Sequence, residues 1–300
     1  MKLPPTLRVI ERGWLSSNVV VLHDGVSASV IDSGYVKHRE QTVALVAQAA
    51  EQRPITHLFN THCHSDHVGG NAALVRAFGC RVYIPEGEAQ YVRDWDLIAL
   101  DLTPWGQRSE RFMFDDTLRS GQTYRLGQID WQVCAAPGHD MDALIWYAPQ
   151  EKLLITADAL WEDGFGAVFP ELANQAGLAC VRATLDWIAS LEVQTVIPGH
   201  GAPFGNVQAA LARAYARLEA FEQAPDKVLR NALRVMLSFH LMDVESATLT
   251  QLTQLIERSP WHAASLALYQ QPTHRIAEQL VSDLQRAGVV ALRADRVWRV

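Results

Sequence analysis

The residues best suited to chemistry are densest in Asn60-Thr61-His62-Cys63-His64-Ser65-Asp66-His67-Val68-Gly69-Gly70, where three histidines and an aspartate fall within six positions. Imidazole and carboxylate together form the ligand set of zinc and other borderline divalent cations. His62 and His64, two apart, can grip one ion. Asp66 and His67 are adjacent and can reach a second ion on the other side of the loop. A polar solvated loop is the competing reading, but such a loop rarely concentrates imidazoles at a strand end.

The elements that must position this cluster follow from periodicity. The apolar run Ile55 to Phe59 leads in as a buried strand, and Ala72, Leu74, Val75 and Phe78 lead out as one face of a helix. The cluster is therefore expected on a loop between strand and helix, where a rigid scaffold presents reactive groups. Before it, Leu7 to Ile10, Asn18 to His23 and Ala28 to Ile31 read as strands, the last two joined by the hairpin signal Asp24-Gly25. Glu40 to Ala50 reads as a helix stopped by Pro54. After it come a strand at Arg81 to Ile84, a helix from Glu86 to Trp95, and strands at Tyr124 to Leu126, Asp130 to Ala135, Ala143 to Tyr147, Lys152 to Thr156 and Val193 to Ile197. Helices are expected at Gly177 to Leu191 and Asn206 to Ala224.

His62-x-His64-x-Asp66-His67 resembles the HxHxDH signature of the metallo-β-lactamase superfamily. Three later segments are similar to the remaining motifs of that family: Ala136-Pro137-Gly138-His139, Ile155-Thr156-Ala157-Asp158 and Val196-Ile197-Pro198-Gly199-His200-Gly201. The resemblance covers roughly residues 8–205. It implies an α+β fold, a four-layer αββα sandwich. It also implies a pair of divalent metal ions, zinc foremost, with iron or manganese as alternatives. On that reading His62, His64 and His139 hold the first ion, Asp66, His67 and His200 the second, and Asp158 bridges. Two such cations, about 3.5–4 Å apart, lower the pKa of a shared water from about 16 toward neutrality. Asp66 is the expected catalytic residue, orienting that water or relaying its proton. The family carries an Asp-x-Gly where this chain has Asp32-Ser33-Gly34, so Asp32 either supports the metal loop or simply shapes a turn. Thioester hydrolases of the family often have a second histidine where this chain has Ala143, a departure that leaves the standard ligands intact. Cys63 is flanked by ligands, yet the family pattern points it away from them.

Two stretches could wall a substrate pocket. Residues 96–121 are irregular and rich in Trp, Phe, Asp and Arg, and read either as an excursion over the active face or as a solvated connection pinned by its aromatics. Leu160 to Leu172 follows Asp158 directly, and Trp161, Phe165 and Phe169 either line the pocket or pack in the core.

Pro225 marks a change of pattern, dividing the chain into a catalytic domain at 1–224 and a small, mainly helical domain at 225–300. Helices are expected at Asp226 to Met242, Thr248 to Glu257 and Thr273 to Ala287, with a hairpin from Val289 to Leu292 and Val297 to Val300. Helices followed by a hairpin resemble the winged-helix appendage of lactamase-like ribonucleases and many bacterial relatives. This segment holds nine Lys and Arg against seven Asp and Glu, in a chain of net charge −7. That slight excess favours a structural or homodimer-forming module over a nucleic-acid reader.

The expected activity is hydrolysis of a small ester, thioester or lactone. The alternatives are a ribonuclease or other phosphodiesterase, which needs a groove containing Arg230, Arg234, Arg275 and Arg286, and an iron-dependent sulfur dioxygenase using one iron. A non-catalytic regulator on the same scaffold is disfavoured by the full ligand set. There is no run of eighteen apolar residues, so no membrane partner is expected. The start, Met1 to Thr6, has no apolar core of a secretory signal, and Cys63, Cys80, Cys134 and Cys180 show no CxxC pairing. A cytoplasmic location fits both.

Overall fold

The computed structural model describes residues 3–300, so Met1 and Lys2, the first two residues of the stretch inspected for a signal, lie outside the described residues. Six strands form one sheet in chain order: Leu7–Ile10 (β1), Val19–His23 (β2), Ala28–Ile31 (β3), Ile55–Phe59 (β4), Arg81–Pro85 (β5) and Asp116–Leu118 (β6). β1 to β3 run antiparallel, and β3 to β6 run parallel. Parallel neighbours need crossover connections. Arg39–Ala49 (α1) supplies the first; Ser65–Val68 (α2) and Asn71–Phe78 (α3) supply the second; Ala89–Asp94 (α4) lies in the third.

The second sheet has five strands in the order β11-β10-β9-β8-β7. Thr123–Leu126 (β7), Ile129–Ala135 (β8), Leu144–Ala148 (β9) and Leu153–Ala157 (β10) form an antiparallel meander. Phe169–Leu172 (α5) and Gly177–Ser190 (α6) then carry the chain over to Thr195–Pro198 (β11), parallel to β10. Val207–Gln223 (α7) follows.

Side chains on a strand alternate between its faces, and here both faces are apolar. In β2 to β4, Val20, Ile31 and Phe59 face Trp131, Trp146 and Ile155 of the other sheet. Their neighbours Val21, Val30 and Leu58 pack with Val46 of α1 and Leu74 of α3. On the far side, Ile145, Leu154 and Val196 pack with Leu185 of α6 and Leu211 of α7. The layers are helix, sheet, sheet, helix, as the resemblance implied.

The C-terminal region is Asp226–Val244 (α8), Ser246–Thr248 (β12), Leu249–Arg258 (α9), His262–Tyr269 (α10), Thr273–Arg286 (α11), Val290–Arg293 (β13) and Arg296–Arg299 (β14). The expected hairpin forms, and β12 joins it as a third strand beside β14. α10 and β12 were not expected from the sequence. Thr248 caps α9 in a reciprocal capping box with Gln251. The core of this region contains Leu233, Leu237, Leu252, Ile276 and Leu280, together with Trp105 from the long loop before β6.

Candidate metal centre

Each candidate ligand follows the C-terminal end of a strand. His62, His64, Asp66 and His67 follow β4, His139 follows β8, Asp158 follows β10 and His200 follows β11. The latter half of the first motif is not a simple loop: Ser65 to Val68 form one helical turn. That turn puts Asp66 and His67 on a different side of the segment from His62 and His64.

Glycines let the backbone come close. A Cβ on Gly69 would lie 2.3 Å from the Val36 nitrogen, and one on Gly199 would lie 2.2 Å from Asp158 Oδ1. Asp158 itself follows a break in the β10–β11 register, where Ala157 takes a left-handed φ of 44°. A strained residue at the end of a strand re-aims the side chain that follows.

The seven side chains fall into two groups whose ligand atoms lie within 4.8 Å of one another: His62, His64 and His139; and Asp66, His67, Asp158 and His200. Asp158 reaches both. Its Oδ1 is 3.4 Å from His67 Nε2, and its Oδ2 is 3.4 Å from His139 Nε2. His200 Nε2 lies 3.0 Å from Asp66 Oδ2. His62 Nε2 and His67 Nε2 are buried with no hydrogen-bond partner. Buried polar atoms are seldom left orphaned, and neutral imidazole nitrogens turned toward carboxylates are what a cation requires.

Outer contacts fix the rings. Asp32 accepts from the Thr61 nitrogen at 2.9 Å and the Thr61 hydroxyl at 2.8 Å, and its Oδ2 lies 2.8 Å from His67 Nδ1. Its φ is 59°, so Asp32 both shapes the turn and holds His67. Ala167 O is 2.6 Å from His139 Nδ1 and does the same for that ring. Ser33, Asn60 and Asn71 tie down the backbone of the motif: the Ser33 hydroxyl and the Asn60 amide both donate to His67 O, and the Asn71 amide donates to Asn60.

Burial pushes His62 well below the usual histidine range, and takes His64 and His139 down to about 4. Burial also opposes charge on His67, but Asp32, Asp158 and Asp66 raise it well above that range. Burial would raise Asp158, yet His200 and His67 hold it well below the usual carboxylate range. His62, His64 and His139 are therefore kept neutral beside the ionised Asp158, while His67 carries the charge that its three aspartates favour.

A cavity of about 250 Å³ opens on these ligands. Leu100, Asp101, Trp105 and Gln107 line it, so the irregular loop does cross the active face. Burial raises Asp101 to about 7. The three aromatics after Asp158 divide. Trp161 and Phe169 line the cavity, whereas Phe165 is buried in the core behind it. Trp161 Nε1 donates to Asp158 Oδ1 at 3.3 Å. Trp14 was not anticipated. Its ring stacks on His200 with centroids 4.7 Å apart, because the neighbouring Asn18 donates to Pro198 O and Gly201 O and brings the two loops together. A tryptophan isolated between two strands was the one available signal.

The Cys63 thiol is buried and pushed well up by burial and by Glu88, which accepts from the Cys63 nitrogen. Of the four arginines a nucleic-acid groove would need, Arg230, Arg275 and Arg286 pair with Asp226, Glu278 and Asp283 on their own helices. Arg234 lines a separate cavity.

Residues 12–200 match the metallo-beta-lactamase superfamily, and the chain belongs to it. Among curated relatives, it is 30% identical over 171 residues to a hydroxyacylglutathione hydrolase of Rhizobium etli, a match covering 56% of this chain and 57% of the relative. The chain thus spans little more than half the length of that relative. Two solved structures share the fold over the whole chain. A beta-lactamase domain protein from Burkholderia ambifaria is 19% identical with a TM-score of 0.62, covering 100% of this chain and 94% of its own. A metallo-beta-lactamase family protein from Thermus thermophilus is 19% identical with a TM-score of 0.60, covering 100% of both chains. Among the described residues, no helix is long and apolar enough to cross a membrane.

Proposed function

We propose that this chain is a hydrolase of a small thioester, ester or lactone that works with two divalent cations, zinc by the chemistry of the donors. His62, His64 and His139 hold one cation, Asp66, His67 and His200 hold the other, and Asp158 serves both. The observation that carries this is the placement of Asp158, with one oxygen turned to each group of ligands. Bound there, such cations supply Lewis acidity and lower the pKa of water.

The chain's own residues do the rest. Asp32 and the Ala167 carbonyl fix the His67 and His139 rings with their far nitrogens turned inward. Asp66 faces the cavity while its Oδ2 meets His200, and is assigned the handling of the proton. Trp14, Leu100, Trp105, Phe169 and Phe239 give the cavity apolar walls that exclude water. The relatives named hydroxyacylglutathione hydrolase favour a thioester. The pairing of Arg230, Arg275 and Arg286 with local acids weighs against a phosphodiester of nucleic acid.

Residues 225–300 are read as a winged-helix-like domain, with helices packed on the three-stranded sheet. The four cysteines are free, which suits a cytoplasmic protein. The test is turnover of zinc-loaded protein on a panel of thioesters, lactones, phosphodiesters and short RNA, with Asp158→Ala as control. Thioester cleavage lost in the variant is the expected result; full activity in Asp158→Ala overturns the assignment.

A further inference from the structure

Beside the metal cavity lies a second one of about 470 Å³, between α8, α11 and the C-terminal hairpin. The two have Trp14, Asn231, Val235 and Phe239 in common and so meet at these four residues. Their charged side chains differ. The metal cavity is lined by Asp66, Asp101 and Asp158 and by one arginine, Arg217. The second is lined by Arg234 and Arg299 and by no Asp or Glu, with the last residue of the chain, Val300, also on its wall. Among the described residues, neither of these guanidiniums has an acidic partner, whereas Arg230, Arg275 and Arg286 nearby in the sequence each have one.

Arg234 is half-buried on α8, and Ser238, one turn further along the same face, adds a hydroxyl. Asn231 lies at the junction; its Oδ1 faces the Arg217 guanidinium at 3.5 Å, leaving its amide hydrogens to donate. The remaining walls are apolar, among them Met242, Leu284 and Val289. Guanidiniums with no Asp or Glu partner, in a cleft with apolar walls, are suited to a carboxylate or phosphate.

We propose that this second chamber binds the anionic end of the substrate, a carboxylate or phosphate carried on a short apolar chain, while the scissile carbonyl lies at the metal ligands. This rests on the hydrolase reading above and narrows it: the substrate is an anion whose charge lies at a distance from the bond that breaks. Arg234 and Arg299, set beyond Phe239, hold the charged end away from the bond that breaks.

The test separates binding from cleavage. Binding is measured by calorimetry on zinc-loaded protein with three uncleavable thioethers: S-butyl mercaptopropionate, its neutral amide, and S-butyl mercaptoethyl phosphate. Cleavage is measured as kcat/KM on the butyryl thioesters of the three corresponding thiols. At least about tenfold preference for an anionic member over the amide is expected, narrowing with added salt and falling below about threefold in Arg234→Gln or Arg299→Gln. Whichever anion binds tighter identifies the terminal group. Equal handling of charged and neutral members by the wild type overturns the proposal, and so does a preference unchanged in both variants. If thioethers bind with the expected preference but no thioester is cleaved, the hydrolase reading fails and the chamber stands. If thioesters are cleaved without regard to charge, the reverse holds. Arg299 lies exposed on the last strand, so its variant remains informative if Arg234→Gln folds poorly.

Discussion

Replacing Arg108 with alanine should cost more stability than replacing its partner Asp243. Asp243 lies near the end of α8 with its side chain 3% exposed, while the Arg108 side chain is 63% exposed. Arg108 Nε donates to Asp243 Oδ2 at 2.8 Å, Arg108 Nη2 donates to Oδ1, and the Tyr35 hydroxyl donates to Oδ2 at 3.1 Å. Removing the guanidinium strands a buried carboxylate. Breaking such a pair from one side costs about 3–5 kcal/mol, and water access along the exposed arginine places this case at the lower end, about 3 kcal/mol. Removing Asp243 instead frees a guanidinium that water can solvate, and the loss is that of hydrogen bonds to a charged acceptor, about 2 kcal/mol. The Arg108→Ala/Asp243→Ala double variant no longer holds the stranded charge, so it should be about as stable as Asp243→Ala rather than lower by the sum of the two. Urea unfolding of the four proteins measures this. A double variant at the sum of the singles, or Arg108→Ala within about 0.5 kcal/mol of wild type, refutes the argument. The pair also bears on the site. Gln107, next to Arg108, lines the cavity and accepts from the Ser65 hydroxyl inside the ligand motif. Loosening Arg108 should therefore raise KM more than it lowers kcat, with metal content unchanged.

Three further outcomes are expected. Asp32→Asn should weaken metal binding by about 10- to 100-fold while the fold is retained, because Asp32 orients His67; competition with a chromogenic chelator measures it. Reconstituted protein should hold two metal ions per chain and Asp158→Ala fewer, as read by elemental analysis; a single iron, with no second ion taken up, would instead favour the sulfur dioxygenase alternative. The metal-free protein should lose stability as pH falls from about 6.5 toward 4. His64 and His139 titrate near 6.5 when unfolded and at about 4 in the fold, so between those values the unfolded chain binds more protons and acid favours unfolding. His67, raised instead, acts with the opposite sign: its contribution is fully present below 6.5 and is lost as pH rises through its folded value. His139→Asn should therefore flatten the acid slope, as measured by unfolding midpoints across that range.

The side chains that gather into the two candidate metal-holding groups were legible in the sequence because their types are rare and each follows an apolar run that becomes a strand. The layers were legible because both faces of those strands are apolar. What escaped was set by distant partners. Ser246 to Thr248 is too short and polar to announce a strand, and it is one only because it pairs with Arg296 to Trp298. His262–Tyr269 is a short helix with little contrast between its faces, so no period showed. Nothing local separates Phe165 from Trp161 and Phe169; whether each faces core or cavity depends on how α7 packs behind the loop. Trp14 stacks on His200 across most of the chain's length, beyond the reach of any pattern read locally.

Trp105 belongs by sequence to the long loop before β6, yet its ring lies 4.5 Å from that of Trp261 and packs among side chains of α8, α9 and α11. A chain cut after Ala224 would uncover this indole, now 2% exposed, and would take Val235 and Phe239 out of the wall facing the ligands. Grafting residues 225–300 from a relative should then change which molecules are accepted while leaving every candidate metal ligand in place. The loop carrying Trp105 would have to travel with the graft.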